Sequence, residues 1–176
     1  AQPRPDTVHA DFILIDDAGR EIGHMRVGPV ERLLHGNNVG ACFLYRARVT
    51  EALGGYDTAL FGVEDYDFWL RAARHFTFAT LHEDLYLYRK HGGSLTSQRA
   101  EHIQALTAEI VERAMPDALP VRSRSEILLG LALRSQHRWR FDLVRRAFRA
   151  DPAHVAARLP AIARWSLVVA RNRIAA

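Results

Sequence analysis

The spacing of apolar residues changes once along this 176-residue chain, and that change limits the folds it can adopt. Up to about residue 96, short apolar runs of strand type alternate with turns rich in Gly, Asp and Asn. From Ser97 onward the apolar residues follow helical spacing, broken at Pro116, Pro120, Pro152 and Pro160. The pattern predicts an α/β domain over residues 1–115. The helical part from Ser97 onward is expected to contain three or four helices, and residues 116–176 are expected to form an all-α extension of the α/β domain.

The first part contains several local signals for strands, short helices and turns. The run from His9 to Asp16 reads as one strand that enters a turn at Asp17-Ala18-Gly19. The acidic start and helical spacing of Glu64 to Arg71 predict a helix. Its Phe68 and Trp69, and Phe76 beyond it, are predicted to lie in the core. The other predicted elements are strands at Glu21–Val27, Gly40–Tyr45 (buried on both faces), Phe76–Leu81 and Leu85–Tyr88, a short helix at Val30–Leu34, and a helix at Arg48–Leu53 closed by Gly54-Gly55.

The cysteine content favours a reducing compartment, and the charge distribution makes the second part of the chain basic. The single cysteine, Cys42, cannot form an internal disulfide, and no apolar run reaches the roughly 20 residues of a membrane helix. We therefore expect a cytoplasmic protein. From Asp117 onward there are 12 arginines against four acidic residues, in a chain of net charge +4.

The basic second part predicts peripheral contact with the inner face of a membrane. Arginines on the second part's helices are the candidates for a surface that faces anionic lipid or a lipid-linked acceptor. A solvated helix face explains the same residues equally well. The candidates are Arg138, Arg140, Arg145, Arg146 and Arg149.

Three polar clusters lie on predicted loops and element ends, where functional residues concentrate. The first is Gly36-Asn37-Asn38-Val39-Gly40. The second joins the turn Gly54-Gly55-Tyr56-Asp57 to the helix start Glu64-Asp65-Tyr66-Asp67. The third is Tyr88-Arg89-Lys90-His91, followed by Ser94.

In this order the clusters resemble the second half of family-2 glycosyltransferases, which have the GT-A fold. The likeness is carried by "GACFLYRARVTEALGGYDTALFGVEDYDFWLRAARHF" and "EDLYLYRKHGGSLT", and it covers about Ala10 to Thr96. It implies a partial GT-A-like mixed sheet with helices. The family's nucleotide-binding half, ending in a metal-binding DxD motif, is expected upstream of residue 1. We therefore expect that this chain alone neither binds a nucleotide-sugar tightly nor catalyses sugar transfer.

The resemblance also implies roles for particular residues. Asp65 would be the catalytic base of an inverting transfer, taking the proton of the attacking acceptor hydroxyl, with Glu64 positioning it or the acceptor. His91 would complete a site for a divalent cation, Mg²⁺ or Mn²⁺, and Arg89 with Ser94 would contact phosphate. The full set of implied donor- and acceptor-binding residues is Asn38, Gly40, Gly55, Tyr56, Asp57, Tyr66, Arg89 and Ser94.

The implied activity is transfer of a sugar from a nucleotide-sugar to a saccharide or lipid-linked acceptor in cell-envelope polysaccharide synthesis. It requires Asp65 and the Arg89–His91 pair to converge on one cleft. A purely structural role stays open for each of these residues. The acidic residues of the Glu64–Asp67 segment would then be ordinary helix-start carboxylates, and His91 would be a surface residue. Asn37 and Asn38 would bind backbone groups of their own loop.

Two other functions also stay open. One is a non-enzymatic basic helical module that binds nucleic acid or an acidic protein, although no nucleic-acid motif is present. The other is a different transferase or hydrolase with an acidic pair, although neither a nucleophile elbow nor a phosphate loop is present.

Overall fold

A computed structural model describes residues 4–93, 98–136 and 138–174 of the chain. It is α/β, and it divides into two compact units, Ala1–Arg99 and Ala100–Ala176. The division lies earlier than the boundary between residues 115 and 116 expected from the sequence. The first helix of the second unit, α3 (Ala100–Ala114), packs on the next one, α4 (Val121–Arg134). A hydrogen bond of 3.2 Å from Gln104 Nε2 to the Arg134 carbonyl joins the two helices.

The first unit contains six strands and two α-helices within its described residues. Short 3₁₀ helices at Val30–His35 and Thr58–Leu60 connect some of them. The strands are β1 (Thr7–Ala10), β2 (Phe12–Ile15), β3 (Glu21–Met25), β4 (Phe43–Tyr45), β5 (Phe78–Leu81) and β6 (Leu87–Arg89), and the helices are α1 (Ala47–Leu53) and α2 (Glu64–Ala72).

The strands form two mixed three-stranded sheets. In the first, of order β4-β1-β5, β1 pairs antiparallel with β4 and parallel with β5, so that Val8 lies between Leu44 and Ala79. In the second, of order β3-β2-β6, β2 pairs antiparallel with β3 and parallel with β6. Both sheets therefore have their central strand in the N-terminal segment.

Asp11 interrupts the single strand predicted from His9 to Asp16, and that prediction was wrong. Its backbone N–H donates to the Leu81 carbonyl and its own carbonyl accepts from the Leu85 N–H. Its carboxylate accepts from the Val27 N–H at 2.8 Å and from His82 Nδ1 at 3.1 Å. Burial opposes ionisation here, but these partners outweigh it and hold the pKa of Asp11 below its ordinary value. The chain passes from one sheet to the other at this residue.

Strand β4 differs from its prediction in length and in burial. The strand begins at Phe43 instead of Gly40, and it lies at the edge of its sheet, paired with β1. Leu44 is 75% exposed, so the expected burial on both faces was wrong. An apolar run alone does not distinguish an edge strand from a central one.

The core of the first unit lies where α2 packs on the first sheet. Phe68 and Trp69 are fully buried, as the sequence predicted, whereas Phe76 is only half-buried. The Trp69 ring meets Phe43 edge to face at 4.7 Å and Tyr45 at 5.7 Å. The predicted helices at α1 and α2 are confirmed, and α1 ends at Gly54, whose φ of 78° is left-handed.

A buried carboxylate, Asp6, joins three elements of this unit. It accepts from Arg48 Nε at 2.6 Å, from the Thr77 N–H at 3.0 Å and from Thr77 Oγ1 at 3.0 Å. Asp6 precedes β1, Arg48 lies on α1 and Thr77 precedes β5. The Thr77 N–H is the main cause that holds the pKa of Asp6 below its ordinary value.

The second unit has five helices within its described residues, one more than the upper expectation. The additional one is short, because Asp151 and Pro152 begin a new helix directly after the helix that ends at Ala150. Asp151 Oδ1 caps it by accepting from the His154 N–H at 2.9 Å. The remaining helices of this unit are α5 (Phe141–Ala150), α6 (Pro152–Ala157) and α7 (Leu159–Ile174).

Buried polar contacts tie these helices together. Ser125 Oγ on α4 donates to the Ala147 carbonyl at 2.9 Å and lies 2.9 Å from His154 Nδ1. Trp165 Nε1 on α7 donates to the Ser135 carbonyl at 2.7 Å. Among the described residues, no helix has both the length and the apolar character needed to cross a membrane.

Two glycines provide a matched test of packing. Gly40 has φ 71°, and a Cβ there would lie 2.7 Å from a ring carbon of Phe12. Gly54 has φ 78°, and a Cβ there would have no neighbour within 4 Å. Gly54→Ala should lose about 1 kcal/mol of unfolding free energy from backbone strain. Gly40→Ala should lose a further 1–3 kcal/mol or so from overpacking, measured by urea denaturation. Equal losses would contradict this account.

Candidate functional site

The site begins at the first turn of α2, where two adjacent carboxylates occupy the helix start. Val63 precedes them and makes no side-chain cap. Asp65 Oδ1 accepts from the Tyr66 N–H at 2.7 Å, and Glu64 Oε2 accepts from the Gly62 N–H. The acidic residues therefore satisfy free backbone donors at the helix start, as the structural explanation of these residues requires.

The second oxygen of Asp65 is bound by a residue 28 positions earlier. Asn37 Nδ2 donates to Asp65 Oδ2 at 3.1 Å. Burial raises the pKa of Asp65 above its ordinary value, and the Glu64 charge adds to the effect, whereas the Tyr66 and Asn37 hydrogen bonds oppose it. The Gly36–Gly40 loop and the helix start, two separate motifs in the sequence, therefore meet at this carboxylate.

Tyr56 from the Gly-Gly-Tyr-Asp turn completes the group. Its ring packs edge to face on Phe68 at 5.1 Å, and the residue is 42% exposed. Burial, with Tyr45 and the nearby charges of Asp65 and Glu64, raises the pKa of Tyr56 to about 12. Its hydroxyl is therefore a protonated donor at neutral pH. We call Asn37, Tyr56, Glu64 and Asp65 together the Asp65 cluster.

Arg71 connects the turn that carries Tyr56 to helix α2. Its Nε donates to Asp67 Oδ2 at 2.8 Å, Nη1 to the Leu53 carbonyl at 2.9 Å and Nη2 to the Gly55 carbonyl at 2.7 Å. The sequence reasoning did not single out Arg71. Its spacing of four residues from Asp67 on one helix was a usable signal for an ion pair.

Tyr66 and Asp57 have structural contacts in this arrangement. Tyr66 is 4% exposed and its hydroxyl donates to the Leu33 carbonyl, so its ring has no open face for a sugar. Asp57 Oδ1 accepts from the Ala59 N–H at 2.9 Å and caps the 3₁₀ helix that follows. Stacking of the Tyr66 ring on a sugar does not fit this position.

The glycines and Asn38 shape the backbone around the cluster. The Asn38 carbonyl accepts from the Gly28 N–H at 3.1 Å, and Gly40 turns the chain against Phe12. Gly55 has φ 78° and presents its carbonyl to Arg71. The implied ligand-binding roles of these residues stay predictions.

Arg89 contacts a turn of the second sheet. Its Nη1 donates to the Asp16 carbonyl at 2.8 Å and to the Asp17 carbonyl at 3.0 Å. His91 is exposed. Within the described residues, no hydrogen bond or ion pair joins Arg89 or His91 to the Asp65 cluster, so their convergence on one cleft stays a prediction. Ser94 lies outside the residues that the structure describes.

The implied divalent cation would need ligands besides His91. In the described parts of the chain, no three His, Cys, Asp or Glu side chains come together in a way that could hold a metal ion. In the hypothesis, His91 would supply one imidazole ligand. The cation stays a prediction, and no chemical step below is derived from it.

No protein-family profile matches the sequence, and a search of curated proteins found no match. The functional proposal therefore rests on the geometry of the chain itself. That geometry is an α/β unit with a hydrogen-bonded, partly buried carboxylate beside a second carboxylate and a protonated phenol.

The raised pKa of Asp65 has a consequence for stability. Because the pKa of Asp65 is higher in the folded protein than in the unfolded chain, protonation of Asp65 at low pH stabilises the fold. That stabilisation is lost as pH rises through the folded-state pKa. Asp65→Asn should therefore increase the unfolding free energy at pH 7 by about 0.5–1 kcal/mol. Asn37 is exposed, so its amide can rotate to accept a hydrogen bond from the new side chain.

Urea denaturation at several pH values measures the effect. The stability difference between Asp65→Asn and the wild type should disappear as pH falls through the pKa of Asp65. Glu51→Gln removes the same charge from an exposed position on α1 and should change stability by less than about 0.5 kcal/mol. A loss of stability in Asp65→Asn at pH 7 would contradict the account.

Proposed function

We propose that the first unit is the acceptor-side part of an inverting glycosyltransferase of the family-2, GT-A kind, with Asp65 as the general base. The proposal is supported most directly by the hydrogen bond from Asn37 to Asp65, which joins two of the motifs that carry the resemblance. The mixed sheets and the helix that begins at Glu64 are compatible with a GT-A-like architecture.

An inverting sugar transfer requires one general base on the acceptor side. The acceptor hydroxyl oxygen forms a bond to the anomeric carbon, the bond from that carbon to the nucleoside diphosphate oxygen breaks, and the hydroxyl proton passes to Asp65. The raised pKa of Asp65 makes its carboxylate a better proton acceptor than an ordinary surface aspartate. Asn37 fixes the orientation of the carboxylate through Oδ2.

Other members of the cluster have roles that fit this step. The Glu64 charge favours protonation of Asp65. Tyr56 is a partly exposed residue with a protonated hydroxyl that can donate a hydrogen bond to an acceptor sugar. Arg71 holds the turn that carries Tyr56 and so acts as a positioning residue.

The donor side of the proposal rests on Arg89 and His91. Arg89 is exposed and uses Nη1 to hold the turn, which leaves other guanidinium N–H groups to contact a departing diphosphate. A divalent cation held with the help of His91 would supply further stabilisation of that negative charge. The substrates would be a nucleotide-sugar and a saccharide or lipid-linked acceptor, used in cell-envelope polysaccharide synthesis at the cytoplasmic face of the membrane.

Sugar transfer by the full-length gene product tests the proposal. With a panel of nucleotide-sugars and released nucleotide as the readout, Asp65→Asn should lower kcat by about 10²–10⁴-fold, because it removes the proton acceptor. In the wild type, kcat should fall as pH drops through the raised pKa of Asp65. Glu51→Gln, a matched change away from the cluster, should keep wild-type kcat.

Two outcomes would contradict the proposal. One is a kcat of Asp65→Asn within about twofold of the wild type, since loss of a general base costs far more than that. The other is a full-length protein that consumes none of the nucleotide-sugars while saccharide acceptors are present.

A further inference from the structure

The helical second unit contains a pocket of about 400 Å³ that the sequence motifs did not indicate. Its floor includes the buried side chains of Met115 and Leu128. Arg124, Arg146 and Arg149 line it together with one carboxylate, Glu112. Three guanidinium groups against one carboxylate give the pocket an excess of positive charge.

The three arginines come from two helices and differ in their contacts. Arg124 on α4 donates from Nη2 to the Pro116 carbonyl at 2.9 Å, which fixes its guanidinium group. Arg146 on α5 forms an ion pair with Glu112 on α3. Arg149 forms no ion pair with any residue that the structure describes. At least one cation in the pocket is therefore uncompensated.

The geometry suits an oxyanion with several acceptor oxygens. Arg146 and Arg149 are three residues apart on α5, so they lie on the same side of that helix, and Arg124 lines the pocket from α4. Guanidinium groups present paired N–H donors that match phosphate oxygens, and several such groups share the charge of one phosphate. The apolar floor fits the carbon part of an organic phosphate.

We propose that this pocket binds the phosphate or diphosphate group of an organic ligand, with Arg149 and Arg146 as its principal cationic contacts. The proposal concerns the second unit and does not depend on the activity proposed for the first. Glu112 competes with the ligand for Arg146, so removing its charge favours the ligand. A soluble phosphorylated molecule and a lipid phosphate headgroup present the same chemistry.

Isothermal titration of the whole chain with inorganic phosphate and with pyrophosphate tests the pocket. Arg149→Gln should weaken pyrophosphate binding by about tenfold, the effect expected for one lost charge-assisted contact. Glu112→Gln should tighten binding, because it frees Arg146. Arg145→Gln is the matched control, since Arg145 is an exposed neighbour on α5 that does not line the pocket. Circular dichroism checks that each variant is folded.

Vesicle flotation separates the two sources of phosphate. If the ligand is a lipid headgroup, phosphatidylcholine vesicles with phosphatidic acid should recover more protein than phosphatidylcholine alone, and Arg149→Gln should remove the difference. If the ligand is soluble, pyrophosphate should bind and the two vesicle types should recover equal amounts. Absence of binding to phosphate, pyrophosphate and acidic vesicles would overturn the proposal. An equal effect of Arg145→Gln and Arg149→Gln would also overturn it, because it would show a diffuse basic surface.

Discussion

The ion pair between Arg71 and Asp67 supports the arrangement on which the candidate site depends. Asp67 is buried, and a buried carboxylate is stable only when it is paired and hydrogen-bonded. Arg71 meets that requirement and also binds the Leu53 and Gly55 carbonyls. One side chain therefore links the body of α2 to the end of α1 and to the turn that carries Tyr56. That link places Tyr56 beside the carboxylates at the start of α2.

Asp65 differs from an ordinary helix-start carboxylate in the balance of forces on it. A helix start and two hydrogen bonds favour ionisation, whereas burial and the neighbouring Glu64 oppose it. Burial and the Glu64 charge outweigh the hydrogen bonds, so the ionised form of Asp65 is destabilised at neutral pH. Such a conflict is typical of functional sites, where activity is maintained at some cost in stability. Asp11 and Asp6 show the opposite balance, consistent with structural roles.

Two of the five arginines that are expected to form a basic surface have acidic partners within the second unit. Arg140 pairs with Asp142 and Arg146 with Glu112, so part of that charge is neutralised by partners within the unit. The positive charge left over around Arg149 lies at a pocket with an apolar floor. The positive charge of this unit is therefore unevenly distributed, and Arg149 contributes charge that no ion pair among the described residues neutralises.

The sequence by itself determined the features that depend on neighbouring residues. The helices at Ala47–Leu53 and Glu64–Ala72, the glycine that ends the first of them and the change to a helical second part all follow from contacts a few residues apart. Only the tertiary structure decided the break at Asp11, the exposure of Leu44, the burial of Tyr66 and the contact of Asn37 with Asp65. Those features depend on side chains far apart in sequence, and their contacts form only when the whole unit packs.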